Sequence, residues 1–279
     1  MSQDSTKPRL QLSLGGAALL GEERPSLGGR RLFAGTCRES GARLLVTLQP
    51  LPPEGPQPVA VRGRLSRLQA LGHPRLNTPL SSGDLDGRAW VVEAAPGLPS
   101  AQSRLAESGG LTVREGIRTL REITRAVASL HRAGLAHGSL DLGNVHFSGS
   151  EVRVAGLANA VAGDPADDLA ALGAIAWALF TGDLPGPADR QLADQRRGIP
   201  AELNQLVASM LAPDPGLRPG KAETILAALD SFPAPHSAQL AGFLEGAGRG
   251  ARAPRSREAV LMVLLLALSV LVSTLVLGR

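Results

Sequence analysis

Residues 112–154 constrain the fold most. Thr112-Val113-Arg114-Glu115 is a capping-box pattern, in which the Thr and Glu side chains satisfy free backbone donors at a helix start. Val113, Ile117, Leu120, Thr124, Val127 and Leu130 then recur at helical spacing, so one face of this helix asks to be buried. His131 and Arg132 suit the negative end of a helix, and Gly134 suits its left-handed cap. Val145–Phe147 and Glu151–Val154 predict a hairpin around Ser148-Gly149-Ser150. Between helix and hairpin lies the loop His137–Asn144.

Strand patterns precede this segment and helical patterns follow it. Leu10, Leu12 and Leu14 alternate with polar residues after a polar tail, residues 1–8, that reads as disordered. Arg31 to Leu48 predicts two strands joined at Glu39-Ser40-Gly41. The five prolines of Pro50–Pro58 mark a loop. Val59 to Leu71 predicts a helix with Leu65, Leu68 and Leu71 on one side. Ala89 to Glu93 predicts a short apolar strand, broken by Ala94-Ala95-Pro96-Gly97. Leu169 to Phe180 is apolar almost all round, as a helix buried at the centre of a domain would be. Glu202–Leu211 and Ala222–Leu229 predict further helices. Residues 232–258 are rich in Pro, Gly, Ala and Arg and read as a flexible linker. No internal repeat is visible.

Charge and cysteine content narrow the function classes. The single cysteine, Cys37, excludes an intrachain disulfide framework and a cysteine-cluster metal site. It reads as a reduced thiol in a cytosolic domain. Residues 249–279 hold five Arg and one Glu; taken from totals of 29 basic and 25 acidic residues, they leave 24 of each in residues 1–248. The bulk is therefore neutral, and no basic patch with interleaved aromatics suggests a nucleic-acid partner. The 20 residues Ala259–Gly278 carry no charge. At about 1.5 Å per residue they reach roughly 30 Å as a helix, the thickness of a bilayer core. Four Arg precede them, which by the positive-inside rule puts the N-terminal part in the cytoplasm. No N-terminal signal is expected, because Met1–Pro8 is polar and no suitable apolar stretch follows. The expectation is a single-pass, tail-anchored protein of the inner (cytoplasmic) membrane.

Five segments carry a family resemblance. Leu130-His131-Arg132-Ala133-Gly134-Leu135-Ala136-His137, continued by Gly138-Ser139-Leu140-Asp141-Leu142-Gly143-Asn144, has the spacing of the protein-kinase catalytic loop, His-Arg-Asp-Leu-x-x-x-Asn, with the helix that leads into it. Asp168-Leu169-Ala170-Ala171-Leu172-Gly173 resembles the start of the central kinase helix. Thr181-Gly182-Asp183-Leu184-Pro185 resembles the turn that ends it. Asp214-Pro215-Gly216-Leu217-Arg218-Pro219 resembles the late Asp-Pro-x-x-Arg-Pro signature. His73-Pro74 resembles the turn after the small-lobe helix. The segments fall in kinase order over residues 25–230, and the chain is similar to bacterial protein kinases of the eukaryotic serine/threonine type. The composition also looks bacterial. The resemblance implies an α+β, two-lobed fold, with a β-rich N-lobe over 9–93 and a helical C-lobe over 94–231.

At the positions that carry kinase chemistry the chain departs from the pattern. Ser139 stands where the catalytic Asp would be. Gln49, in Val46-Thr47-Leu48-Gln49, stands where the phosphate-holding Lys would be. The chain has only two Lys, Lys7 and Lys221, and neither lies in the small-lobe strands. Gly63 and Arg64 fall where the Glu partner of that Lys is expected. Aligned without a gap, Gly156 falls at the magnesium-binding Asp and Leu157 at the Phe after it; with a gap that Asp is deleted, and either way no carboxylate is present. Leu27-Gly28-Gly29 is a weak glycine-rich loop, and two adjacent glycines are more often just a turn. Thr47 and His146 replace residues that pack on adenine, so they and Gly28 and Gly29 are weak nucleotide-contact candidates. Asp141 reads as a turn residue rather than a displaced base. Asn159 to Asp167 is too short for an activation segment and lacks its closing Ala-Pro-Glu. Arg218, without that Glu, would be exposed or would pair with Asp164, Asp167 or Asp214.

His137, Asn144, Asp168 and Arg218 are what remain of the framework. The resemblance implies that Asp168 accepts hydrogen bonds from the loop backbone and, with His137, holds it rigid. The expected function is a membrane-anchored pseudokinase acting as a signalling, scaffolding or binding module. No catalytic residue, no metal and no cofactor are expected, with weak ATP binding left open. The alternative is an atypical nucleotide-binding kinase with residual phosphotransfer. The expected partners are the membrane and a cytoplasmic or membrane protein, and Ser269 and Ser273 form a small-xxx-small pair that could join two copies.

Overall fold

A computed structural model describes residues 18–24, 31–37, 40–50, 58–85, 88–157, 164–186 and 191–232. They belong to one compact unit, residues 1–232. The expected strand at Leu10–Leu14, Gly28, Gly29 and the whole of 233–279, including Ala259–Gly278, Ser269 and Ser273, lie outside the described residues.

The first part is a five-stranded antiparallel sheet with β1 (Ala18–Arg24), β2 (Arg31–Cys37), β3 (Arg43–Pro50), β4 (Pro79–Leu85) and β5 (Arg88–Ala94) in the order β1-β2-β3-β5-β4. Strand geometry sends alternate side chains to opposite faces. On one face Leu44, Val46 and Leu48 of β3 meet Phe33 and Val92 in a small cluster. On the other, Thr47 and Leu45 lie opposite Val91 and Glu93. Helix α1 (Pro58–Ala70) adds Leu65 and Leu68, which join Ala89 and Val91 in the main core. The sequence predicts β2, β3, α1 and β5 within a residue or two. It misses β4, whose Pro-Leu-Ser-Ser-Gly-Asp-Leu has no apolar alternation. That segment is a strand because β5 offers it an edge to pair with.

The second part is helical. After α2 (Ala101–Ser108) comes α3 (Val113–Arg132), then the hairpin β6 (Val145–Ser148) and β7 (Glu151–Val154). Helices α4 (Pro165–Thr181), α5 (Leu192–Gln195), α6 (Ala201–Met210) and α7 (Ala222–Asp230) follow. The capping box forms as its residues require. Thr112 Oγ1 accepts from the Glu115 N–H at 3.3 Å, and the Glu115 carboxylate takes the Thr112 N–H and hydroxyl. Helix α4 begins at Pro165, earlier than Leu169, because the Asp164 side chain caps it by accepting from Ala166 N–H. Helix α2 escapes the sequence because only Ala101 and Leu105 of its eight residues are buried.

Two features fasten the helices. Helix α4 runs through the main core, and its Phe180 ring lies where a Cβ on Gly116 would fall, at 2.2 Å. Arg121 of α3 donates to the carbonyls of Leu229 and Phe232 and pairs with Asp230 at 2.8 Å, so the end of α7 meets a cation. Isolated bridges Leu76–Val154 and Ser100–His146 tie the β6–β7 hairpin to the segments before β4 and before α2.

Two glycines on helices should therefore respond to alanine with opposite signs. Gly116→Ala is expected to lower unfolding free energy by about 1–3 kcal/mol through overpacking. Gly63→Ala on α1, with nothing within 4 Å of its would-be Cβ, should raise it by up to about 1 kcal/mol. Urea denaturation of the two variants measures both.

Candidate functional site

The loop between α3 and β6 has no regular structure, so its backbone donors and acceptors need partners from elsewhere. Asp168, in the first turns of α4 and 1% exposed, supplies them. Its Oδ2 accepts the His137 N–H at 2.7 Å and its Oδ1 accepts the Gly138 N–H at 2.9 Å. Oδ2 also meets His131 Nε2 at 2.9 Å. Burial works to raise the Asp168 pKa, but the His131 hydrogen bond and the two backbone donors outweigh it and hold the carboxyl below the usual range. His131, read from sequence only as a helix-end residue, thus belongs to the site.

The His137 ring is fully buried, and its Nε2 donates to the Ala155 carbonyl at 2.8 Å. The proton therefore sits on Nε2, and Nδ1 has no partner among the described residues. Burial first of all pushes the His137 pKa down, so the ring is neutral. Further along, the Asp141 carboxylate accepts the Asn144 N–H at 2.8 Å and closes the turn. Asn144 Nδ2 donates to the Ser139 carbonyl at 2.8 Å. His137, Ser139, Asn144 and Asp168 are in this way linked through one hydrogen-bonded loop.

Gly156 follows two residues after β7 with φ at +79°. A Cβ there would stand 2.5 Å from Asn144 Oδ1. A side chain here would be strained by the positive φ and would have to displace the end of the Asn144 side chain. Its N–H donates to Glu93 Oε2 at 3.1 Å, and the Leu157 N–H donates to Glu93 Oε1 at 2.8 Å. Glu93, 2% exposed at the end of β5, is the site residue that sequence reasoning missed. A signal was available: alternation puts it on the same face as the buried Ala89 and Val91, where an acid must find donors.

The remaining candidates are spread around this loop. Thr47 is buried on β3 opposite Val91. Gln49 lies on β3 opposite Ala89. The half-buried His146 donates through Nδ1 to the Leu98 carbonyl at 3.0 Å, and burial above all lowers its pKa. Of the two readings of Arg218, pairing with Asp164, Asp167 or Asp214 is not seen, and the side chain is half-buried. It donates to the carbonyls of Ala212 at 2.8 Å and Pro213 at 3.3 Å, and among the described residues it pairs with no acid. Asp164 and Asp214 instead accept the N–H of Ala166 and Gly216. A short connection satisfies the guanidinium locally, where a carboxylate would have to be brought from another segment. Among the described residues no group of three or more His, Cys, Asp or Glu could hold a metal.

Solved structures share this architecture. The chain is similar to a point mutant of the Mycobacterium tuberculosis PknI kinase domain, at 18% identity and a TM-score of 0.58, over 79% of this chain and 98% of that one. It is also similar to Rad53 in complex with AMP-PNP, at 19% identity and a TM-score of 0.60, over 74% of this chain and 63% of that one. No protein-family model matches the chain, and no curated protein does. The chain has a protein-kinase-like fold, with a β-sheet lobe and helices.

Asp168→Asn should destabilise the protein by roughly 2–4 kcal/mol, because it leaves buried backbone donors facing a neutral group. The folded pKa of Asp168 is depressed. Its contribution is therefore complete above about pH 4, the unfolded carboxyl value, and is lost as pH falls through the lower folded value. Unfolding free energies measured from pH 7 down to pH 2 should show a shallower acid limb in Asp168→Asn than in the wild type.

Proposed function

We propose that this chain is a catalytically silent kinase-fold module, held at the cytoplasmic face of a membrane by Ala259–Gly278 and acting by binding a protein partner. The observation that carries the reading is at Gly156, where φ is +79° and Asn144 Oδ1 lies 2.5 Å from any Cβ. Kinases hold magnesium with a carboxylate in the segment after this hairpin and hold phosphates with a strand Lys. Here the corresponding residues are Gly156 and Gln49, and the loop position of the catalytic base is Ser139. This donor set does not fit a magnesium–nucleotide complex, so no transfer step is assigned to it.

The retained polar groups are engaged with backbone. Asp168 holds loop N–H groups, His137 holds a carbonyl, and Asn144 holds the Ser139 carbonyl. Such a loop has structure without a free acid or base aimed at a substrate hydroxyl, which general base catalysis requires. The membrane part of the reading rests on the apolar 259–278 stretch and the arginines before it. Among the described residues no helix is long and apolar enough to cross a membrane.

Thermal denaturation with millimolar ATP, with and without Mg²⁺, tests the reading. A ligand at about 100 times its Kd stabilises by roughly 2.7 kcal/mol, and no shift is expected here. A magnesium-dependent shift together with phosphate transfer would instead establish an atypical kinase. Ser139→Asp combined with Gln49→Lys should still give no detectable transfer. Adding Gly156→Asp should cost at least about 1–2 kcal/mol of stability, from the left-handed backbone alone. Removing residues 259–279 should move the protein from the membrane fraction to the soluble fraction.

A further inference from the structure

Glu93 and Asn77 join the sheet to the segment after β7 at adjacent points. Asn77 Nδ2 donates to the Ala94 carbonyl at the end of β5, at 2.7 Å. The Asn77 N–H donates to the Val154 carbonyl at the end of β7, at 2.8 Å. One residue before Ala94, the Glu93 carboxylate takes the N–H groups of Gly156 and Leu157, at 3.1 and 2.8 Å. Successive backbone N–H groups pointing the same way form a small concavity that favours an anion. The positive φ of Gly156 helps to turn them together. In most such concavities the anion is a ligand. In this chain it is a carboxylate of the protein itself, buried to 2% exposure.

We infer that Glu93 is an internal anion that closes the Gly156–Leu157 amide pair and latches β5 to the post-β7 segment, so that this junction between the sheet and the β6–β7 hairpin is held in one conformation without any ligand. Asn77 works beside it as a second, neutral clasp. The latch acts against an incoming polyanion in two ways. It occupies the donors a phosphate oxygen would use, and its negative charge repels the phosphate. The inference deepens the preceding reading and rests on it in one respect, that no nucleotide competes for these donors in the wild-type protein.

Backbone amide exchange, measured on the full chain in detergent for wild type, Glu93→Ala and Glu93→Gln, tests the latch. In Glu93→Ala the amides of Gly156 and Leu157 should exchange at least tenfold faster. Those of His137 and Gly138, held by Asp168, should keep their protection and so report that the fold persists. Glu93→Gln retains one acceptor and should fall between the two, which keeps the test decisive if the alanine variant does not fold. Adding millimolar inorganic tripolyphosphate should restore protection at 156–157 in Glu93→Ala and leave the wild type unchanged. Equal exchange at 156–157 in all three proteins would overturn the latch, and failure of tripolyphosphate to restore protection would overturn the amide pair as an anion site. Magnesium-dependent ATP binding by the wild type would overturn the silent-kinase reading and the exclusion of a nucleotide from these donors, whereas the latch between Glu93 and residues 156–157 is read separately, by exchange without nucleotide.

Discussion

The Asp168 carboxylate is the interaction on which the rest of the site depends. It is buried in the first turns of the central helix and takes three donors, the N–H groups of His137 and Gly138 and the His131 ring. A carboxylate in that environment is costly unless its oxygens are well satisfied, and the loop backbone needs acceptors just as much. Each side solves the other's problem. With residues 137 and 138 fixed, the His137 ring reaches the Ala155 carbonyl, and the segment after β7 is fixed in turn. Asn144, pinned to the Ser139 carbonyl, then stands against Gly156, where any Cβ would press on its amide.

That order of dependence separates framework from chemistry. Apart from the His131–Asp168 pair, each bond named from α4 through the loop to residue 156 ends on backbone at one side. At 139 the framework uses the carbonyl, which Asn144 holds. It favours a glycine at 156, where φ is positive and the end of the Asn144 side chain is close. The loop is held largely by bonds to its backbone groups, which constrain its path more than the identity of its side chains.

Much of the fold was legible because local signals and burial agree. The Thr112–Glu115 box, the apolar face of α3, the β6–β7 hairpin and the apolar α4 all announce themselves by spacing, and the ordered kinase-like segments single out Asp168 and His137. Elements without their own pattern were not legible. Strand β4 forms because β5 presents an edge, and α2 buries only two of its side chains. The site was legible in the same proportion. His137, Asn144 and Asp168 could be named in advance from motif spacing; for Glu93 alternation signalled only a buried acid, and its partners at 156 and 157, 63 and 64 residues away, were not legible. His131 was assigned to the helix end, and its bond to Asp168 depends on how α3 and α4 cross.

The sequence alone determined which segments form helices and strands with a buried face, to within a few residues at their ends, and which residue types stand at the loop positions. Both follow from period, capping and composition, which act over a few residues. Only the tertiary structure decided what the polar residues do. Glu93 became an internal anion, Arg218 turned to nearby carbonyls, and position 156 came to lie against the end of the Asn144 side chain. A buried polar group must find a donor or acceptor within about 3 Å, and which group lies at that distance is fixed by packing between segments far apart in the chain.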